Sequence, residues 1–114
     1  MYRLVIQPNA LEELEAAFEW LRKRAPDAAV KWFNGFVEAL QELNAAPESF
    51  GLAPDMHDVP YPIRQLLYGK RQHKYRAFFT IVGDEVHVLH IRHGARRTWR
   101  PKNLPSLGRP PDRE

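Results

Sequence analysis

Tyr75-Arg76-Ala77-Phe78-Phe79-Thr80-Ile81-Val82-Gly83-Asp84-Glu85-Val86-His87-Val88-Leu89-His90-Ile91-Arg92 is the stretch that decides the fold. It holds two runs rich in β-branched, aromatic and aliphatic residues, with Gly83-Asp84 between them. Such a pair, where glycine supplies the left-handed backbone of a type I′ or II′ turn, marks a two-residue β-hairpin. Strict pairing about that turn sets Tyr75 opposite Arg92, Arg76 opposite Ile91 and Ala77 opposite His90. Phe78 and Leu89 then share the face of Arg76, and Phe79, Ile81, Val86 and Val88 share that of Arg92. The second set is the more apolar and is expected under the rest of the molecule. Arg76 is left on an open face, unless a bulge shifts the register.

Working toward the N-terminus, Gly69-Lys70-Arg71-Gln72-His73 is a polar turn and Ile63 to Tyr68 a further strand. Residues 47–62, with Pro47, Pro54, Pro60, Pro62 and Gly51, form a loop. Before it, Ala29, Trp32, Phe33, Phe36, Val37, Leu40 and Leu43 recur at three- and four-residue steps, which makes one wide core-facing helical stripe. An earlier stripe of Leu11, Leu14, Phe18 and Leu21 predicts another helix, with Pro8 at its start and Glu12, Glu13 and Glu15 toward its positive end. Ala25-Pro26 ends that helix and begins the next, so the two must run antiparallel. Trp20 falls off the first stripe and is expected to pack at the hairpin's margin. Met1 to Gln7 reads as a short strand, in which Leu4, Val5 and Ile6 are β-compatible and which Pro8 closes. The order is β-α-α-β-β-β. It implies an α+β domain with a helical hairpin on one face of a small, mainly antiparallel four-stranded sheet, because each apolar stripe needs a partner. The other sheet face is expected to stay available. Residues 1–99 read as the domain, and 100–114, with Pro101, Pro105, Pro110 and Pro111, as a loose tail.

At 114 residues the chain suits one domain with a modest core. The absence of cysteine removes disulfides, thiol chemistry and thiolate metal sites. No apolar run reaches membrane-spanning length, and the first residues turn polar too soon for a signal peptide, so a cytoplasmic protein is expected. Charge is divided unevenly. Residues 1–60 carry five Lys/Arg against ten Asp/Glu, a net −5; residues 61–114 carry twelve against four, a net +8. A basic half suits an anionic or acidic partner, nucleic acid among them.

The cations concentrate on the strands and just beyond them: Arg64, Lys70, Arg71, Lys74, Arg76, Arg92, Arg96, Arg97 and Arg100. Arginines on an open sheet face can hold phosphates by planar, bidentate hydrogen bonds, and could stabilise the charge of a phosphoryl transition state. No carboxylate pair, phosphate-binding glycine loop or nucleophile–base set accompanies them. His87, His90 and His93 lie three residues apart, a spacing that alternates strand faces and does not build a metal site; no metal or other cofactor is expected. His93 is a candidate proton donor, since imidazole titrates near neutrality. His57 and His73 are expected on surface loops. Tyr61, Tyr68, Tyr75 and Trp99 could stack on bases, but sheet packing is the commoner use.

These motifs resemble the RelE/ParE superfamily of type II toxin–antitoxin toxins. The resemblance lies in Tyr2-Arg3-Leu4-Val5-Ile6-Gln7-Pro8 before an acidic helix, then Ile63-Arg64-Gln65-Leu66, Tyr75-Arg76-Ala77-Phe78-Phe79, Gly83-Asp84-Glu85-Val86-His87-Val88-Leu89 and His93-Gly94-Ala95-Arg96. It covers about residues 2–97 and implies a toxin neutralised by a cognate antitoxin. Members either cleave mRNA on the ribosome or poison DNA gyrase. The endonuclease branch implies catalytic roles for Arg76 on the third strand, Arg96 after the last strand and Arg64 on the second. Lys70 and Lys74 lie in a longer turn than its lysine pair, and no tyrosine follows Arg96. Lys70, Arg71, Lys74, Arg92 and Arg97 are the candidate target-binding cations. The resemblance leads to an expectation of ribosome-dependent mRNA cleavage, with non-enzymatic gyrase inhibition, or a non-toxic binding module, as alternatives.

Overall fold

The computed structural model describes residues 1–54, 56, 59–70 and 74–94. In chain order the elements are β1 (Arg3–Ile6), α1 (Pro8–Arg22), α2 (Pro26–Gln41), short 3-10 turns at Glu42–Asn44 and Pro47–Ser49, β2 (Arg64–Tyr68), β3 (Tyr75–Val82) and β4 (Glu85–His93). Both helices begin on a proline, whose missing N–H costs nothing at that position. The sheet order is β1-β4-β3-β2. β1 runs parallel to β4, whereas the β2–β3 and β3–β4 pairs are antiparallel. The molecule therefore has the expected α+β architecture, with the first strand placed beside the last.

Gly83-Asp84 does form the predicted hairpin: Val82 pairs with Glu85, and Gly83 takes the left-handed backbone (φ +60°) that glycine tolerates. The strict register does not survive beyond it. The pairing runs regularly as far as Phe79 opposite Val88, then shifts, so that Phe78 faces His90, Ala77 faces Ile91, Arg76 faces Arg92 and Tyr75 faces His93. The extra residue in β4 is a β-bulge. The expected opposition of Tyr75 to Arg92 is thereby corrected by one residue, and Arg76 and Arg92 become direct cross-strand neighbours.

Ala10, Leu14, Phe36, Leu40 and Leu43 from the helical side meet Leu66, Ala77, Phe79, Val86, Val88 and Ile91 from the sheet. Trp32, Phe36, Tyr68 and Tyr75 interlock there, with Phe36 stacked on Tyr68 at 4.5 Å. The Tyr68 hydroxyl donates to the Trp32 carbonyl and lies so near Gly35 that it leaves no room for a Cβ at that position. Two expectations change. Leu11 and Trp20 are exposed, and Trp20 stacks on the Arg24 guanidinium at 3.8 Å instead of lining the hairpin's margin. The opposite sheet face is not left open. Ala53, Met56 and Ile63 bury Phe78 and Leu89 there, with Val59 and Tyr61 packed alongside. The proline-rich segment carries enough apolar side chains to bury two further core residues, a use that its composition does not announce.

Candidate functional site

β2 and β3 sort the arginines by parity. Arg64 pairs with Phe79 and Arg76 with Leu67, so the two arginines lie on opposite faces. Arg64, on the helix-side face, donates from Nη1 to the Phe50 carbonyl at 2.6 Å and more distantly to the Glu48 carbonyl at 3.4 Å. It ties the chain after α2 to the start of β2, where Gln65 N–H donates to Gly51 and Ala53 N–H to Ile63. Arg76, on the far face, donates from Nε and Nη2 to Gln65 Oε1 at 3.0 and 2.8 Å and stands 4.5 Å over the Phe78 ring. Gln65 faces Phe78 across the strands, so one amide and one ring hold the guanidinium in a fixed orientation. The expected convergence of Arg64 and Arg76 is not what the structure builds.

The bulge builds a different association, a row across the far face: Leu67, Arg76 and Arg92. Leu67 is a large apolar side chain left 54% exposed. Lys70 and Lys74 are exposed beyond the ends of β2 and β3. Like charges directly opposed on a sheet repel; Arg76 is held by Gln65, and Arg92 Nη1 lies 3.4 Å from the Glu13 carboxylate.

Glu13 is the residue beside this row whose role the sequence reading missed. β1 pairs with β4 only as far as Val88. Past that point α1 supplies the partner: the Ile91 N–H donates to Glu13 Oε1 at 2.7 Å, and His90 Nδ1 lies 3.1 Å from Oε2. Burial pushes this carboxyl's pKa up, but the bonds from His90 and the Ile91 N–H, together with the Arg92 charge, outweigh it and hold the value below normal. The only local signal was a carboxylate beside Leu14 at the border of the apolar stripe. What it caps is 78 residues away in sequence. Next to it opens a cleft of about 210 Å³ lined by Glu13, Ala16, Tyr75, Ile91, Arg92 and His93.

The histidines go separate ways. His87 joins β1 to β4, contacting Gln7 Nε2 at 2.9 Å and Glu85 Oε1 at 2.8 Å, and Glu85 also pairs with Arg3. His93 packs edge-on against Tyr75 at the mouth of the cleft. Tyr68 and Tyr75 are used in packing. Among the described residues, no three His, Asp or Glu side chains gather as metal ligands. Arg71, Arg96 and Arg97, with His57, His73, Trp99 and Arg100, lie outside the described residues.

The family model for the ParE toxin of the type II toxin–antitoxin system parDE matches residues 4–98. The chain belongs to the ParE toxin family. The chromosomal ParDE toxin–antitoxin system from P. aeruginosa has a solved structure that superposes with a TM-score of 0.67 at 23% identity, covering 82% of this chain and 96% of that one. At that identity the likeness bears on the fold, in which a helical hairpin lies against a four-stranded sheet. No curated protein matches in sequence. As a ParE-family member the chain is the toxin of a type II toxin–antitoxin system, with an antitoxin as partner. Among the described residues, no helix is long and apolar enough to cross a membrane.

Proposed function

We propose that this ParE-family toxin arrests growth in the cytoplasm by binding DNA gyrase, without cutting mRNA. The observation that carries this reading is the separation of Arg64 from Arg76. Two of the three arginines proposed for phosphate chemistry lie on opposite faces of one sheet, and Arg64 is engaged by the Phe50 carbonyl. Electrostatic catalysis requires its donors aimed at one developing charge. The far-face row instead supports a protein surface: exposed Leu67 beside an oriented Arg76, flanked by Lys70 and Lys74, combines an apolar contact with cations that would meet acidic groups. One observation favours the second reading, ribosome-dependent cleavage. Arg76 and Arg92 oppose each other directly and could grip a phosphate between them.

The two readings part in one experiment. Purified toxin is added to gyrase with relaxed plasmid, and separately to a translating extract whose message is mapped by primer extension. The expected result is blocked supercoiling with intact message. Leu67→Asp and Arg76→Ala should each weaken inhibition by about tenfold or more, as central interface residues do. A cut message beside unhindered gyrase would overturn the proposal in favour of the second reading.

A further inference from the structure

β2 forms one edge of the sheet, and its outer side is covered only at the start. There Leu52 bridges Arg64, the Gln65 N–H donates to the Gly51 carbonyl, and the Ala53 N–H donates to the Ile63 carbonyl. Among the described residues, no main-chain bond reaches that side beyond Gln65. Along a strand, main-chain groups turn to alternate sides. The Gln65 N–H points outward, so the N–H and C=O of Leu67, two residues on, point outward as well. β2 ends at Tyr68, and Gly69 follows in a left-handed conformation (φ +110°). The open stretch is therefore short, a single ladder position centred on Leu67 with its immediate flanks.

Edges that proteins guard against pairing carry charge, proline or a bulge. This one carries an exposed leucine. Among the described residues, its charged neighbours along the strands are cations: Lys70 follows β2, Lys74 precedes β3, and Arg76 stands opposite Leu67. On the helix side the Glu38 charge reaches Tyr68, whose hydroxyl is given to the Trp32 carbonyl. An acidic partner thus matches the far side of this edge and not the helix side. A second copy of the chain fits poorly. Antiparallel pairing centred on Leu67 would set Gln65 against Gly69 and Arg64 against Lys70, a like-charge contact made twice. It would also bring Leu52, which bridges Arg64 on the same side, against the incoming strand. A nucleic acid has no main-chain ladder to offer and no use for the leucine.

We propose that the toxin holds its protein target by strand addition: an extended acidic segment of the target pairs with the outer edge of β2 as a fifth strand. Main-chain bonds to the Leu67 N–H and C=O would give attachment, and alternate side chains would give selectivity. The partner residue opposite Leu67 shares its face, so an apolar side chain there covers the exposed leucine. Residues two positions to either side return to the same face roughly 7 Å away. One of them lies toward Lys70, the other beside Gln65 and the Arg76 guanidinium that it orients. The pattern recognised is therefore acid, any residue, apolar, any residue, acid. Carboxylates at the outer positions meet the cations, and no acidic side chain is set against Glu38. The inference rests on the far face as the target surface and says how the target is gripped there.

Two measurements on the full chain test it. In the first, inhibition of gyrase supercoiling is compared for Leu67→Ala, which removes the side chain and keeps the N–H, and Leu67→Pro, which removes both. Proline is tolerated at an edge position whose N–H faces outward. Leu67→Ala should weaken inhibition by about tenfold, and Leu67→Pro by about a further five- to tenfold. Val30→Ala, exposed on α2, should stay within about twofold. Circular dichroism and the unfolding midpoint confirm that each variant is folded. In the second, the end-capped peptide Glu-Thr-Val-Thr-Glu is titrated into isotope-labelled toxin. It should shift the Leu67 amide resonance and slow that amide's hydrogen exchange by about fivefold or more at saturation, whereas Lys-Thr-Val-Thr-Lys should do neither. Should Leu67→Pro not fold, exchange at the Leu67 amide of the unaltered chain carries the test. A folded Leu67→Pro that inhibits as well as Leu67→Ala overturns the proposal. So does a Leu67 amide that ignores the acidic peptide, or answers equally to the basic one or to a single-stranded oligonucleotide. A wild-type toxin that leaves gyrase untouched would end the function proposed above, and the peptide measurement would then decide this question alone.

Discussion

The two faces of the sheet use the same residue types for opposite purposes. Toward the helices, Arg64 is spent on the fold: its guanidinium holds backbone carbonyls at Phe50 and Glu48. On the far face, Arg76 is oriented by a neutral amide, Gln65, beside an exposed leucine. The cores differ in the same sense. Phe79 is buried among residues from the helices, the sheet and Phe50, whereas its neighbour Phe78 is buried with Ala53, Met56, Ile63 and Leu89. One face is a layer of regular elements. The other is regular strand under irregular chain, where core packing and the proposed target surface lie side by side.

The largest test of this contrast is the adjacent phenylalanine pair. Phe79→Ala should lower unfolding free energy by about 4 kcal/mol, because the helical layer cannot collapse into the void. Phe78→Ala should cost less, about 2–3 kcal/mol, since an irregular covering segment can move in. Equal losses in urea titrations would erase the distinction between the faces.

The arginines come next. Arg64→Met keeps the aliphatic stem and removes the donors to Phe50 and Glu48; it should cost about 1.5–3 kcal/mol in stability and leave inhibition per folded molecule unchanged. Arg76→Met should cost less stability, about 1 kcal/mol, and lose inhibition. A stable, inactive Arg64→Met protein would reverse the roles assigned to the two faces.

How much of this was legible in sequence follows from how local each signal is. The Gly83-Asp84 turn and the Ala29–Leu43 stripe are written in neighbouring residues, so the hairpin, the helices and the element order could be read directly. The bulge in β4 has no such mark. Val88-Leu89-His90 is compatible with either register, and a one-residue slip reassigns every side chain beyond it. The pairing of Arg76 with Arg92 was therefore hidden. The roles of Arg64 and Glu13 were hidden because each is defined by backbone brought up from elsewhere, Phe50 in one case and Ile91 in the other. The coverage of Phe78 was hidden because prolines in residues 47–62 mark a loop without saying where it folds.

The smallest expected effect concerns pH. Glu13 is held below its normal pKa by His90, the Ile91 N–H and Arg92 against the opposing effect of burial. A lowered carboxylate pKa stabilises the fold fully above the unfolded value, near 4.3, and that contribution disappears as pH falls through the lower folded value. Glu13→Gln should cost about 1 kcal/mol at neutral pH, and its deficit relative to wild type should shrink below about pH 4. A deficit that stays constant down to pH 2 would show that the carboxylate's charge does not fasten α1 to β4.

The parallel pairing of β1 with β4 sets a timetable for synthesis. β1 finds its neighbour only when Glu85 to Val88, about 80 residues further along, have been made. At roughly 5–20 residues per second, β1 waits several seconds for that partner. The helical hairpin is assembled from consecutive residues and can form at once, but sheet closure is deferred until β4 has left the exit tunnel. The row of Leu67, Arg76 and Arg92 therefore exists only once β4 has been made and paired, later than the helical hairpin.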